Sequence, residues 1–238
     1  MKLYVYCLTE GIDSLSGPIR GISGAPVRLD KIEELGLMVS EFNDETVPVT
    51  HENAMDHAAV VRSVLDRTTP LPFRFGTLVT EQQLRSYVAA RKSALETNLS
   101  LVRGCVEMSV KIIWQVAMDQ EEEPRKPVQG IGATFLAAKR SEILGSELRA
   151  AKAREISIWL HESVKGLTRG EKVSIQPLEK LFLTAAHLVG RDNLKQYRRK
   201  MVQARDERRD LHFLLSGPWP PYSFANIELD VKTQFGVS

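Results

Sequence analysis

Between Val106 and Leu215 the apolar periodicity switches in the order strand, helix, strand, strand, helix, strand, and this order constrains the fold more than any other feature of the chain. Val106 to Ala117 (VEMSVKIIWQVA) is strand-like. Residues 130–164 predict one helix, in which Ala137, Leu144, Ala151 and Ile158 repeat every seven residues beside Leu136, Leu148 and Trp159, and Gly166 and Gly170 close it. At ~1.5 Å per residue such a helix exceeds about 50 Å, so it projects or bends at Gly145-Ser146. Lys172 to Gln176 and Leu181 to Val189 predict two strands joined at Pro177, Asp192 to Arg209 a basic helix, and Leu211 to Leu215 a last strand. That is the βαββαβ pattern of a ferredoxin-like domain, whose common edge strands are the second and fourth.

The first half mixes strands and helices differently. Tyr4, Tyr6 and Leu8 alternate with Leu3, Val5 and Cys7, so both faces of an opening strand are apolar and the strand is central. Glycines and prolines from Gly11 to Pro26 mark a loop, and Gly36 to Phe42 a second strand. Ala54, Ala58, Val61 and Leu65 share one helical face, stopped by Thr68-Thr69-Pro70. After a short strand at Leu71 to Phe75, Thr80 and Gln83 form a capping box. Leu84, Val88, Leu95, Leu99 and Val102 make the buried stripe of the next helix, and Gly104 ends it. The predicted class is therefore α+β in two domains: an N-terminal α+β domain at 1–104, and a ferredoxin-like domain at 105–238 with an aromatic and proline-rich tail.

Thirty-two basic against 30 acidic residues give a net charge of +2, which leaves no global field to draw the chain onto nucleic acid or membrane. No apolar run reaches the ~18 residues of a spanning helix, and the N-terminus reads as a strand, not a signal peptide. Cys7 and Cys105 sit in apolar runs and read as buried thiols. His51-Glu52 and Asp56-His57 miss the H-E-x-x-H spacing of a zinc helix, because Met55 stands where the second histidine belongs; they read as a polar helix start. His161, His187 and His212 are scattered singly, and Gly130-Ile131-Gly132 lacks the rest of a phosphate loop. No catalytic, cofactor-binding or metal-ligating set emerges.

Arg191, Lys195, Arg198, Arg199, Lys200, Arg205, Arg208 and Arg209 make the 191–209 helix basic. An RNA-binding module built on the ferredoxin-like sheet is the alternative reading, with Trp114, Phe182 and His187 as the few base-stacking candidates. The tail is more distinctive. Gly217, Pro218, Trp219, Pro220, Pro221, Tyr222 and Phe224 combine stiff backbone with large aromatic area and are the candidate interaction residues. Such a tail either folds back over its own sheet edge or the other domain, or serves as an adhesive segment for another chain. In the second case, removing 217–238 should abolish binding and leave the fold intact.

Leu71 to Thr77 (LPFRFGT), the His51-Glu52 pair about 20 residues before it, and Leu215 to Phe224 (LSGPWPPYSF) together resemble the gas vesicle protein F/L family. The tyrosine-rich first strand and Val106-Glu107 with Val110-Lys111 also fit, whereas VYCLTEG departs from the family's frequent tyrosine-glycine pair. The resemblance spans nearly the whole chain. It implies a non-enzymatic accessory protein of gas vesicles, the protein-walled, gas-filled organelles that give buoyancy, with an α+β N-terminal part and a modified ferredoxin-like C-terminal part. It further implies association, within the cytoplasm, with the hydrophobic shell protein at the gas-facing side of the shell and with other accessory proteins. Self-association through sheet edges is also expected, and no cofactor, nucleic acid or lipid membrane is.

Overall fold

Every residue of β1 (Lys2–Thr9) after Lys2 is buried, as a strand apolar on both faces requires. The computed structural model describes residues 2–15, 17–114, 147, 150–175 and 183–227. They form a mixed fold of helices and two sheets, and the chain divides into two units. The first holds Met1–Glu107 together with the tail from Pro218; the second is Met108–Gly217. The tail, expected with the second half, therefore packs with the first.

In the first unit β1 is followed by β2 (Ile19–Arg20), β3 (Pro26–Ile32), β4 (Leu35–Phe42), α1 (His51–Leu65), β5 (Leu71–Pro72), β6 (Leu78–Val79) and α2 (Glu81–Val102). The sheet order is β2-β3-β4-β1-β5, with β6 also on β1, so β1 is central. The strand β3 has no counterpart in the sequence reading. Its Arg28, Asp30 and Lys31 blur the alternation, and the β3–β4 turn is the pair Glu33-Glu34, with Glu33 at φ 55 where glycine or asparagine usually signals a hairpin.

A bulge in β1 between Val5 and Cys7 changes its faces. Tyr4 pairs with Ser40 and Cys7 with Met38, and cross-strand partners share a face. Cys7 therefore joins Tyr4 and Tyr6 in the core under α1, opposite to simple alternation, which a bulge interrupts. Helix α1 starts at Thr50, whose hydroxyl accepts the Asn53 N–H at 3.1 Å. It buries His57, Val60, Val61, Val64 and Leu65, while Ala54 of the expected face is exposed. Branched valines gain more from burial than alanines, and they set the rotation of the helix. Helix α2 has its capping box and buries the five expected residues, and Gly104 takes φ 69 after its end.

Tyr6 is fully buried. Its hydroxyl accepts the Ile22 N–H at 3.0 Å and shares a 2.9 Å hydrogen bond with Ser40. A Cβ at Gly21 would lie 1.9 Å from that hydroxyl, and a ring held at both ends cannot move aside. Gly21→Ala is expected to destabilise the first unit by about 1–3 kcal/mol, measured as a lower urea midpoint; Tyr6→Phe in the same background should recover part of the loss.

The second unit contains most of β7 (Cys105–Trp114), helix α3 (150–164 as described), β8 (Thr168–Ile175), β9 (Leu183–Gly190), α4 (Leu194–Glu207) and β10 (Leu211–Trp219) up to Gly217. The sheet order β10-β7-β9-β8 leaves β8 and β10 outermost. Met108, Val110, Ile112, Ala153, Ile156, Leu160, Leu183, Ala185, Tyr197 and Met201 form its core. The seven-residue repeat misplaces the inner face of α3: Ala151 is exposed and Ile158 is 67% exposed, whereas Ala153, Ile156, Leu160 and Val164 are buried. A seven-residue spacing fixes a stripe but not which stripe meets the sheet. The helix start near Gly130, its bend at Gly145-Ser146 and the Pro177 turn lie outside the described residues.

Candidate functional site

Strand β10 runs through Gly217 and Pro218 to Trp219, so the tail begins as sheet rather than after it. Gly217 adopts φ 119 and its carbonyl accepts Arg198 Nη2 at 3.4 Å. Beyond the strand, Phe224 and Ala225 donate their N–H groups to the Pro221 carbonyl at 3.0 and 2.9 Å, making a tight turn. Pro220, Pro221, Phe224 and Ile227 are buried. The prolines thus direct the chain, and Phe224 anchors it in the first unit.

Two polar bonds fix the turn. The Ser223 N–H and hydroxyl donate to the two carboxylate oxygens of Glu107 at 2.7 and 2.8 Å. Glu107 is only 7% exposed, so its charge needs these donors. A lone carboxylate inside the apolar strand VEMSV is the sequence signal for such a partner, although nothing local says that the partner lies in the tail.

The same turn leaves Trp219 and Tyr222 each 41% exposed. Trp219 packs under the Arg62 guanidinium, 5.6 Å from the ring centroid. Tyr222 lies 6.5 Å from the His57 ring, and burial of its hydroxyl end raises its pKa. On α1, Met55 is two turns before Arg62 on the same face and is 56% exposed. An apolar surface with two supported aromatics results.

The LPFRFGT segment closes the free side of β1. Phe73 N–H donates to the Tyr6 carbonyl and Val5 N–H to the Thr77 carbonyl, at 2.9 and 3.0 Å. Between them Thr77 N–H donates to the Arg74 carbonyl at 3.3 Å, with Gly76 at φ 85, a turn that requires glycine at its third position. Gly76 N–H also donates to the Tyr4 hydroxyl at 3.1 Å. The motif is therefore architectural, and Arg74 points outward.

A family model described as gas vesicle synthesis protein GvpL/GvpF matches residues 2–226. The chain belongs to the GvpL/GvpF family. It is 27% identical to gas vesicle protein L2 of Halobacterium salinarum over 93% of this chain and 90% of that protein. It is 24% identical to gas vesicle protein F1 of the same organism over 99% and 98%. The crystal structure of GvpF from Anabaena sp. PCC7120 has the same fold, with a TM-score of 0.78 at 20% identity over 96% of this chain and 99% of that one.

Two buried histidines in this GvpL/GvpF chain escaped the sequence reading. His57, which the sequence places in a polar helix start, is 3% exposed. Its Nδ1 shares a 2.9 Å hydrogen bond with the Tyr4 hydroxyl, and its Nε2 makes none of ordinary geometry among the described residues. Burial holds its pKa down at about 4, with the Phe73 carbonyl acting in the opposite direction. In the second unit, His187 shares hydrogen bonds with the Tyr197 hydroxyl at 2.7 Å and Glu171 at 3.1 Å, and Glu171 with His161 at 2.6 Å. Burial lowers the His187 pKa, and Glu171 opposes it.

His187 and Tyr197 are fully buried, so His187 offers no face to an RNA base, whereas His161 at the outer end of this chain of groups is 53% exposed. Phe182 lies outside the described residues. Cys7 and Cys105 are buried thiols. Among the described residues no group of three His, Cys, Asp or Glu side chains could hold a metal ion, and no helix is long and apolar enough to cross a membrane.

Proposed function

We propose that this member of the GvpL/GvpF gas vesicle accessory family acts without catalysis, as a minor structural or assembly factor. It binds the hydrophobic shell protein through the surface made by Trp219 and Tyr222. The observation that carries this reading is the pair of half-exposed aromatic side chains on a rigid base, the geometry of an interface anchor. A shell subunit with an exposed apolar face aggregates unless it is captured. The sheet order with β8 and β10 outermost supports a ferredoxin-like second domain, with those edges available to other accessory proteins or to a second copy. We place the working position on the gas-facing side of the shell.

Trp219→Ala with Tyr222→Ala tests the reading. After co-expression with the shell protein, the double variant should retain roughly a tenth or less of the co-purifying shell protein, as for the loss of two interface anchors. Its unfolding should stay cooperative with a moderately lowered midpoint, because each side chain is 41% exposed and packs with the rest of its surface. Undiminished co-purification would remove the support for this surface.

A further inference from the structure

A second candidate site lies in the first unit and does not depend on Trp219 or Tyr222. The loop after β1, strand β2 and the last turns of α1 enclose a pocket of about 190 Å³. An apolar cavity of about 150 Å³ is enough to take up benzene. The walls are apolar, from Ile12, Leu15, Ile19, Met38 and Val64, and the exposed Arg67 lines the solvent side.

Two features indicate what could enter. Arg67 donates Nη1 to the Ser14 carbonyl at 2.6 Å, and no carboxylate pairs with it among the described residues. Its remaining donors match the fork of a carboxylate. Ser63, the other polar side chain at the pocket, donates its hydroxyl to the Val60 carbonyl at 2.7 Å, so the guanidinium is the principal donor. Ile19 also belongs to β2, which ends the sheet order. One side of its backbone therefore has no strand beside it among the described residues. An extended polypeptide can pair with such an edge while placing a side chain in an adjacent pocket.

We propose that the pocket receives an apolar side chain of a partner polypeptide, with the carboxylate next to that side chain held by Arg67. The main chain of the partner runs along β2. The Arg67 contact decides between peptides, and the apolar walls supply the anchor.

The test uses the full-length protein and the short peptide acetyl-Gly-Gly-Leu, as the free acid and as the C-terminal amide, followed by NMR titration. The free acid should bind about tenfold more tightly, as expected for a charge-assisted hydrogen bond. Arg67→Gln should reduce the acid to the level of the amide. Ser63→Leu, which fills the pocket, should abolish both, and the amide-dispersed spectra of the two variants report that they fold. Three outcomes would overturn the proposal: no saturable binding of the acid at millimolar concentration, equal affinity of acid and amide, or binding unchanged in both variants. Octanoate binding as tightly as the peptide acid would also overturn the choice of a polypeptide.

Discussion

Ending the chain at Ser216 is expected to unfold the first unit. The truncation removes Pro220, Pro221, Phe224 and Ile227 from the core. Phe→Ala at such a site alone costs about 3–5 kcal/mol. It also removes the two Ser223 donors from the Glu107 carboxylate, and a hydrogen bond to a charged group contributes about 1.5–3 kcal/mol. Together these approach the whole stability of a domain, about 5–15 kcal/mol. Circular dichroism and urea titration of the truncated chain should show lost or shallow cooperativity in the first unit. Phe224→Ala and Ser223→Ala should show graded losses, the first larger. A truncated chain that unfolds at the parental urea midpoint would contradict the packing of the tail. The expectation that 217–238 can be removed with the fold intact therefore changes: a deletion cannot separate binding from folding here, and Trp219 and Tyr222 substitutions can.

The second large effect is acid destabilisation. His57 is neutral in the folded chain, with a pKa of about 4 against 6.5 for the free side chain. Below about pH 6.5 the unfolded chain gains a proton that the folded chain does not, so stability falls as pH falls and levels off near the folded value. The shift corresponds to about 3 kcal/mol lost across that window. Burial moves His187 in the same direction and adds to the loss in the second unit. Urea midpoints between about pH 7.5 and 4.5 should fall steeply. His57→Phe should lose distinctly less stability over the same range, because it removes the titrating group while the Tyr4 hydroxyl keeps its Gly76 partner. Identical pH profiles for parent and variant would show that His57 is not held neutral.

The regular elements with strong local signals were legible. The stripe from Leu84 to Val102 and the Thr80–Gln83 box are properties of neighbours on one helix, and the structure has both. The central place of β1 followed from its two apolar faces. Misses cluster where the deciding partner is distant. The strand β3 is defined by pairing with β4, not by its charged sequence. The rotations of α1 and α3 are set by what lies beneath them, so Ala54 and Ile158 turned outward although their spacing is helical. His57 was invisible as a core residue because its partner Tyr4 is 53 residues away.

The tail shows the same division. From sequence alone came its stiffness, its aromatic content and its candidacy as an interaction segment, because proline geometry and side-chain area are local properties. Which of its residues anchor and which face outward was decided by tertiary structure. A carboxylate 116 residues earlier takes both donors of Ser223 and pins the turn. That contact buries Phe224 and leaves Trp219 and Tyr222 half in solvent. A long-range hydrogen bond leaves no periodicity in the sequence, so only the folded chain could separate the anchors from the surface.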